Sequence, residues 1–192
     1  MRMSRRFQYM WQHAQRRSRR LAGRLAKDTR GVTAIEFAAV GPPFLAMLFG
    51  ILAVALFFFT TFSLENAVEQ AARMIRTGQV QKDGLSADDF KAEVCKHVAP
   101  YVKCDSKMRV NVDSYQSFGD VVTPSCTDSG GNLIPPAETL FRTGASSEVV
   151  LVTVCYEWEL AGKIPFLQVG DMANGSALIQ ASTTFRTEPY ED

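Results

Sequence analysis

An uncharged run of 28 residues, from Phe37 to Leu64, constrains this chain more than any other feature of its sequence. A helix needs about 20 apolar residues to cross the hydrocarbon core of a bilayer. The run is rich in Phe, Leu, Ile and Val, which favour insertion, and it is too long for a cleaved secretory signal, whose apolar region is about 7–15 residues. We therefore predict a single membrane-spanning helix.

Charge is distributed unevenly on the two sides of this run. Residues 1–30 contain ten Lys or Arg and one acid, a net charge of +9, whereas residues 31–192 carry a net charge of −8. Basic residues next to a span are retained in the cytoplasm, and such a one-sided leader is not expected before a buried core helix. Nucleic acid is a poor partner, because no recognition motif accompanies the arginines. We expect a cytoplasmic N-terminus and a C-terminal domain outside the cytoplasm.

The helix is predicted to continue beyond the span. Residues 63–77 keep apolar side chains at helical spacing, and Gly78 is a natural helix end. A helix over residues 33–77 would be roughly 68 Å long, about twice the hydrocarbon thickness, so its second half must pack on something outside the bilayer. Pro42 and Pro43 predict a kink.

The remainder of the chain has the pattern of a small α+β domain. Residues 86–99 form an amphipathic helix that Pro100 ends, and residues 107–115, 148–160 and 177–187 are predicted strands of an antiparallel sheet. The predicted organisation is a basic cytoplasmic leader over residues 1–31, a transmembrane helix with a projecting amphipathic half over 32–77, and a periplasmic domain with one additional helix over 78–192.

All four cysteines follow the apolar run, which fits an oxidising compartment and disulfides. Three pairings are possible. The preferred one joins Cys95 to Cys104, which closes a short local loop, and Cys126 to Cys155, which ties the long surface loop of residues 121–147 to a strand. There is no Cys-x-x-Cys, and the chain has only two histidines, so no metal is expected.

No pattern in the sequence predicts catalysis. Asp88 with Asp89, and Glu157 with Glu159, are carboxylate pairs, but we expect them to be solvated at a helix start and a strand edge. Phosphate-loop and dinucleotide motifs are not found, and His97 has no partner in a known catalytic motif. The prediction is a protein that is not an enzyme and that needs no cofactor.

Residues 31–37, GVTAIEF, join the basic leader to the apolar helix. Glu36 therefore lies at or just inside the edge of the bilayer, where a carboxylate is costly and needs a partner. A basic leader that ends in glycine, followed by an apolar helix with glutamate at its fifth position, resembles the processing site of type IV prepilins and pseudopilins. Gly31 and Glu36 have that spacing.

The longer run RGVTAIEFAAVGPPFLAMLFGIL, residues 30–52, resembles the TadE-like family, minor pseudopilins of the bacterial tight-adherence (Tad, or Flp) pilus system. VCKHVAPYVKC, MRVNVDSY and ASTTFRTEPY also look like that family's outer domain. One position departs from the Flp-type pattern, because Phe37 stands where tyrosine commonly follows the glutamate.

The resemblance implies a mechanism for these residues. A membrane-embedded aspartyl prepilin peptidase would cut after Gly31 and leave Val32 with a free α-amino group. Glu36, next to Phe37, would pair with that ammonium group on a neighbouring subunit and set the register of the assembly. The implied partners are the inner membrane, the prepilin peptidase, and other pilus subunits and pseudopilins.

Three hypotheses about function follow. The leading one is a processed minor pseudopilin in the bacterial inner membrane, incorporated into a pilus or used to initiate one. The alternative is an uncleaved, signal-anchored periplasmic adaptor or binding protein. A weaker alternative is a membrane-tethered periplasmic enzyme. Cleavage after Gly31 distinguishes the first from the other two.

Overall fold

The structure, a computed structural model, describes residues 31–163 and 170–190. The leader predicted for residues 1–31 lies outside this part of the chain, apart from Gly31. The chain divides into two compact units, residues 1–51 and residues 52–192. The main elements, in chain order, are α1 (Val32–Arg76), α2 (Gln79–Asp83), α3 (Ala87–His97), α4 (Cys104–Lys107), β1 (Met108–Tyr115), β2 (Val149–Trp158) and β3 (Ala177–Arg186).

Helix α1 has almost the bounds expected from its apolar and amphipathic patterns. It is 45 residues long and continues without interruption through Pro42 and Pro43. The kink stays a prediction. It ends because Gly78 adopts a left-handed conformation, with φ at 75°, and its N–H donates to the Ile75 carbonyl at 3.1 Å. A left-handed glycine just past the last turn is the commonest way to close an α-helix.

Within the 52–192 unit, one face of α1 forms the centre of the core. Its buried residues recur every three or four positions, which is the spacing of one helical face. Three of them are alanines, and all three are fully buried. The face comprises Leu64, Ala67, Val68, Ala71, Ala72 and Ile75.

The three strands form one antiparallel sheet in the order β1-β2-β3, with Val152 opposite both Val112 and Thr183. Every residue of the central strand β2 is buried. Alternate side chains of a strand point to opposite faces, and β2 residues with even numbers belong to the core with α1. The opposite face holds Cys155 and is covered by loops. The predicted α+β class is confirmed.

Both disulfides have the pairing preferred from the sequence. Cys95 of α3 is bonded to Cys104 at the start of α4, with Cα atoms 6.0 Å apart, and Cys126 is bonded to Cys155 of β2, with Cα atoms 5.7 Å apart. The second bond fastens the loop between β1 and β2 across the face of the sheet that α1 does not cover.

Residues 140–142 of that loop follow the outer edge of β1. The Leu140 carbonyl accepts from the Val112 N–H at 2.9 Å, and the Arg142 N–H donates to the Val112 carbonyl at 2.8 Å. Between them Phe141 packs against Phe90 of α3, with ring centroids 5.9 Å apart. An exposed strand edge is prone to pair with other chains, and the loop covers this part of the edge.

The segment after β3 closes the structure against the end of α1. The Glu188 N–H donates to the Arg76 carbonyl at 2.8 Å, and the Thr187 N–H donates to the Glu148 carbonyl at 2.9 Å. The ring of Tyr190 lies so close to Gly78 that a Cβ added there would be 2.6 Å from its Cδ1 atom. The last carbonyls of a helix have no partner within it. At the end of α1, the Arg76 carbonyl finds its partner in the Glu188 N–H.

One expectation about the carboxylate pairs is wrong. Asp89 does stand at a helix start, where it forms a capping box with Ser86. Glu157, however, is 6% exposed rather than solvated. Its Oε1 accepts from Lys107 at 2.9 Å, from Asn174 at 2.7 Å and from Ser176 at 3.2 Å. Burial is tolerated because the charge is paired and hydrogen-bonded.

The first prediction concerns Gly78. Gly78→Ala should lower the free energy of unfolding by about 2–4 kcal/mol, because a left-handed conformation is costly for alanine and the methyl group would collide with Tyr190. Gly84→Ala is the control, since Gly84 has φ at 61° but no atom within 4 Å of an added Cβ. Chemical unfolding of the full chain in detergent measures both. Equal losses would contradict the Tyr190 contact.

The second prediction concerns Glu157. Burial raises its pKa, but the hydrogen bonds from Lys107, Asn174 and Ser176 outweigh burial and hold the pKa below its ordinary value. A lowered folded pKa gives stability that is present at neutral pH and lost as pH falls through that pKa. Glu157→Gln should therefore cost roughly 1–3 kcal/mol at pH 7 and show a smaller loss on acidification.

Unfolding curves of the wild-type chain and Glu157→Gln between pH 7 and pH 3 test this. Glu138→Gln, at an exposed glutamate of the loop, is the matched control. Parallel pH dependence of the wild-type chain and Glu157→Gln would mean that the buried carboxylate contributes nothing to acid sensitivity.

Candidate functional site

The predicted processing junction lies at the start of α1. Gly31 immediately precedes Val32, the first residue of the helix. No described atom lies within 4 Å of a Cβ built on Gly31. Among the described residues, therefore, none crowds the position of a side chain at Gly31.

Glu36 lies one helical turn after Val32, on the same face of α1. Helical side chains lean toward the N-terminal end of their helix, so the carboxylate leans toward Val32. Glu36 is exposed, and within residues 31–163 and 170–190 it has no ion pair and no side-chain hydrogen bond. The site thus presents one unpaired carboxylate close to the beginning of the helix.

Most of the described side chains near Glu36 on the helix are apolar. Phe37 is 76% exposed, and its ring lies along Gly41, one turn later. Of the described helices, α1 is the one long and apolar enough to cross a membrane, and 11% of its most apolar stretch is buried. A core helix would be mostly buried. The exposed apolar residues of the 31–51 segment are Val32, Ile35, Phe37, Val40, Phe44, Leu45, Met47, Leu48, Phe49 and Ile51.

This geometry has one chemical consequence. A carboxylate surrounded by apolar side chains is unfavourable in a bilayer unless a cation neutralises it. The described residues provide none, but cleavage after Gly31 would create an α-ammonium group on Val32, at the end of the helix toward which Glu36 leans. The same ammonium group on an adjacent helix would serve as well.

The other residues considered as sites belong to the 52–192 unit and have structural partners. None of the four cysteines is free. His97 lies 3.4 Å from Glu93 on the same helix face. In the part of the chain that the structure describes, no group of three or more His, Cys, Asp or Glu is placed to hold a metal ion.

Sequence reasoning missed a groove of about 290 Å³ in this unit. Leu56 and Thr60 of α1 line one side, and three lysines line another: Lys103, Lys107 and Lys163. These residues come from separate parts of the chain, so no local pattern connects them. The one signal in the sequence was Tyr101 beside Lys103, an aromatic and a basic residue of the kind found at membrane surfaces.

A family model described as TadE-like protein matches residues 31–73 of the chain. The match begins at Gly31, includes Val32, Glu36 and Phe37, and extends through most of α1. The likeness of the three later segments to the family's outer domain lies beyond it and stays a prediction. No protein of curated function and no solved structure matches the chain. Over residues 31–73 the resemblance to the TadE-like family is confirmed.

Proposed function

We propose that this chain is a minor pseudopilin of a tight-adherence (Flp-type) pilus, processed by a prepilin peptidase and active in pilus assembly. Its role is to assemble with other subunits and not to catalyse a reaction. One observation carries the proposal: Glu36, five residues after Gly31, has no ion pair or side-chain hydrogen bond among the described residues and lies on an exposed apolar helix. The TadE-like match implies involvement in the Tad pilus system and supports this role.

Processing would convert a membrane anchor into an assembly element. Hydrolysis of the bond between Gly31 and Val32 adds water across it, leaves a carboxylate on the removed leader and frees the α-amino group of Val32. No described atom lies within 4 Å of a Cβ at Gly31, which supports access by a peptidase, and a glycine lets the backbone enter a narrow site in extended form. The new ammonium group then stands at the first residue of α1.

Assembly would pair that ammonium group with Glu36 of a neighbouring subunit. Two opposite charges 4 Å apart attract by about 4 kcal/mol at an effective dielectric constant of 20. The exposed apolar surfaces of adjacent α1 helices would pack at the same time, and packing alone does not set their axial position. The ion pair would set it, because a shift of one turn separates the charges by about 5.4 Å.

The proposed location is the bacterial inner membrane, with the leader in the cytoplasm and the sheet domain in the periplasm. The excess of basic residues in residues 1–30 supports this orientation. Two disulfides and no free cysteine in the described residues suit an oxidising compartment. In this orientation the disulfides would lie in the oxidising periplasm and the basic leader would lie in the cytoplasm.

The third prediction tests processing. The full chain produced with an active prepilin peptidase should yield a mature N-terminus at Val32, read by N-terminal sequencing and intact mass, and an inactive peptidase should leave the leader in place. Gly31→Leu should block cleavage without disturbing the fold, because no described atom lies within 4 Å of a Cβ added there. Gly50→Leu, also with nothing within 4 Å, is the control and should be cleaved normally.

An intact leader in the presence of the active peptidase would overturn the pseudopilin proposal. The result would favour the uncleaved, signal-anchored adaptor, whose outer domain binds a partner without entering a pilus.

The fourth prediction tests the role of Glu36. Glu36→Ala should insert and be cleaved, but its recovery in complexes with other pilus subunits should fall at least about tenfold, equivalent to ~1.4 kcal/mol, because the ion pair is lost. Glu65→Ala removes an exposed glutamate further along the same helix and should leave assembly unchanged. Crosslinking in membranes and counts of pili measure the effect. Normal piliation with Glu36→Ala would refute the register role.

A further inference from the structure

The lysine groove of the 52–192 unit has an apolar and aromatic rim. Tyr101 is 47% exposed, and its hydroxyl lies 3.1 Å from Thr60 Oγ1, which itself donates to the Leu56 carbonyl. The tyrosine hydroxyl is therefore the donor to Thr60, and its ring stays beside Phe59, with centroids 6.2 Å apart. Leu160, 39% exposed, lines the groove beside them.

This rim is continuous with exposed apolar side chains of α1. Leu56, Phe58, Phe59 and Phe62 are all exposed, although they belong to the same unit as the folded sheet. Counted from Phe37, about 20 residues cross the hydrocarbon core, so the span ends near Leu56. The groove thus begins at the level of the helix where the bilayer's polar headgroups are expected.

The charge of the groove is positive. Glu159 lies within 4.0 Å of three ammonium groups, at 3.3 Å from Lys103, 3.0 Å from Lys107 and 4.0 Å from Lys163. Lys107 also binds Glu157, whose carboxylate is already held by Asn174 and Ser176. Three cations face two carboxylates, an excess of one positive charge.

The excess charge is accessible from solvent. The side chains of Lys103 and Lys163 are 70% and 69% exposed, and each has Glu159 as its one carboxylate partner among the described residues. An ammonium group has three N–H donors, so both lysines keep donors for an additional anion. Aromatic rings and lysines are typical of the membrane–water interface, and a lysine ammonium group forms strong, charge-assisted hydrogen bonds with a phosphate.

We propose that this groove binds the phosphate of an anionic phospholipid and so docks the domain on the bilayer surface. Lys103 and Lys163 hold the phosphate, Lys107 is fixed beneath them by the two glutamates, and Tyr101 and Leu160 contact the lipid's apolar part. The inference rests on the proposed membrane span. Its consequence is that the domain carries a lipid contact in addition to its helix.

The test uses the full chain with Trp11→Phe, so that Trp158, which lines the groove, is the one tryptophan left. The chain is reconstituted in phosphatidylcholine bilayers that contain a small fraction of brominated phosphatidylglycerol or the same fraction of brominated phosphatidylcholine. Bromine quenches tryptophan fluorescence at close range. We expect stronger quenching by the anionic lipid, and an apparent preference that falls about fivefold for each lysine removed in Lys103→Gln and Lys163→Gln.

Two variants make the comparison specific. Lys82→Gln with Lys96→Gln removes two exposed lysines elsewhere in the same unit, at equal net charge, and should leave the preference unchanged. Glu159→Gln removes the carboxylate at the centre of the groove and should strengthen the preference. Opposite effects at Lys103 and Glu159 could not come from a general loss of folding.

The outcomes separate this inference from the proposed function. Equal quenching by the two lipids, in a chain that floats with the bilayers, overturns the lipid site and leaves the span intact. A chain that does not float with bilayers overturns both. Inorganic phosphate added at constant ionic strength should leave the lipid preference in place; if it abolishes the preference, the groove takes a free anion and the docking surface is refuted.

Discussion

The structure depends on the burial of one face of α1 between Leu64 and Ile75 against the sheet. A sheet with an apolar face must bury that face against another element, and an amphipathic helix is stable chiefly when its apolar face is packed. Each therefore requires the other. The three alanines of the face are fully buried, and the left-handed Gly78 ends the helix soon after Ile75, its last buried residue.

The same helix has two kinds of surface, and that difference connects fold with function. Over residues 64–75 its apolar face is covered by the folded unit, whereas over residues 32–51 its large apolar side chains are exposed. Water cannot solvate the second surface favourably, so it requires lipid or neighbouring helices. Glu36 stands within that surface, and the register proposal follows from its need for a cation.

The elements with strong periodicity could be predicted from sequence, and α1, α3 and the three strands have nearly the expected bounds. Both disulfides have the preferred pairing. The short helices α2 and α4 could not, because four or five residues contain no complete hydrophobic period. Burial of Glu157 was missed because its partners Asn174 and Ser176 are distant in sequence. The junction at Gly31 is a local motif that sequence can predict, and cleavage there stays a prediction. The groove is assembled from separate segments and could not be predicted.

The backbone bond from Glu188 to Arg76 also has a consequence for the order of folding. β3 and the residues that close over the end of α1 are synthesised more than 100 residues after that helix. At about 5–20 residues per second, roughly 6 to 23 s separate the helix end from its last partners. During synthesis the face from Leu64 to Ile75 therefore lacks part of its cover for seconds, and protecting it from aggregation in that interval is a requirement that the finished fold does not reveal.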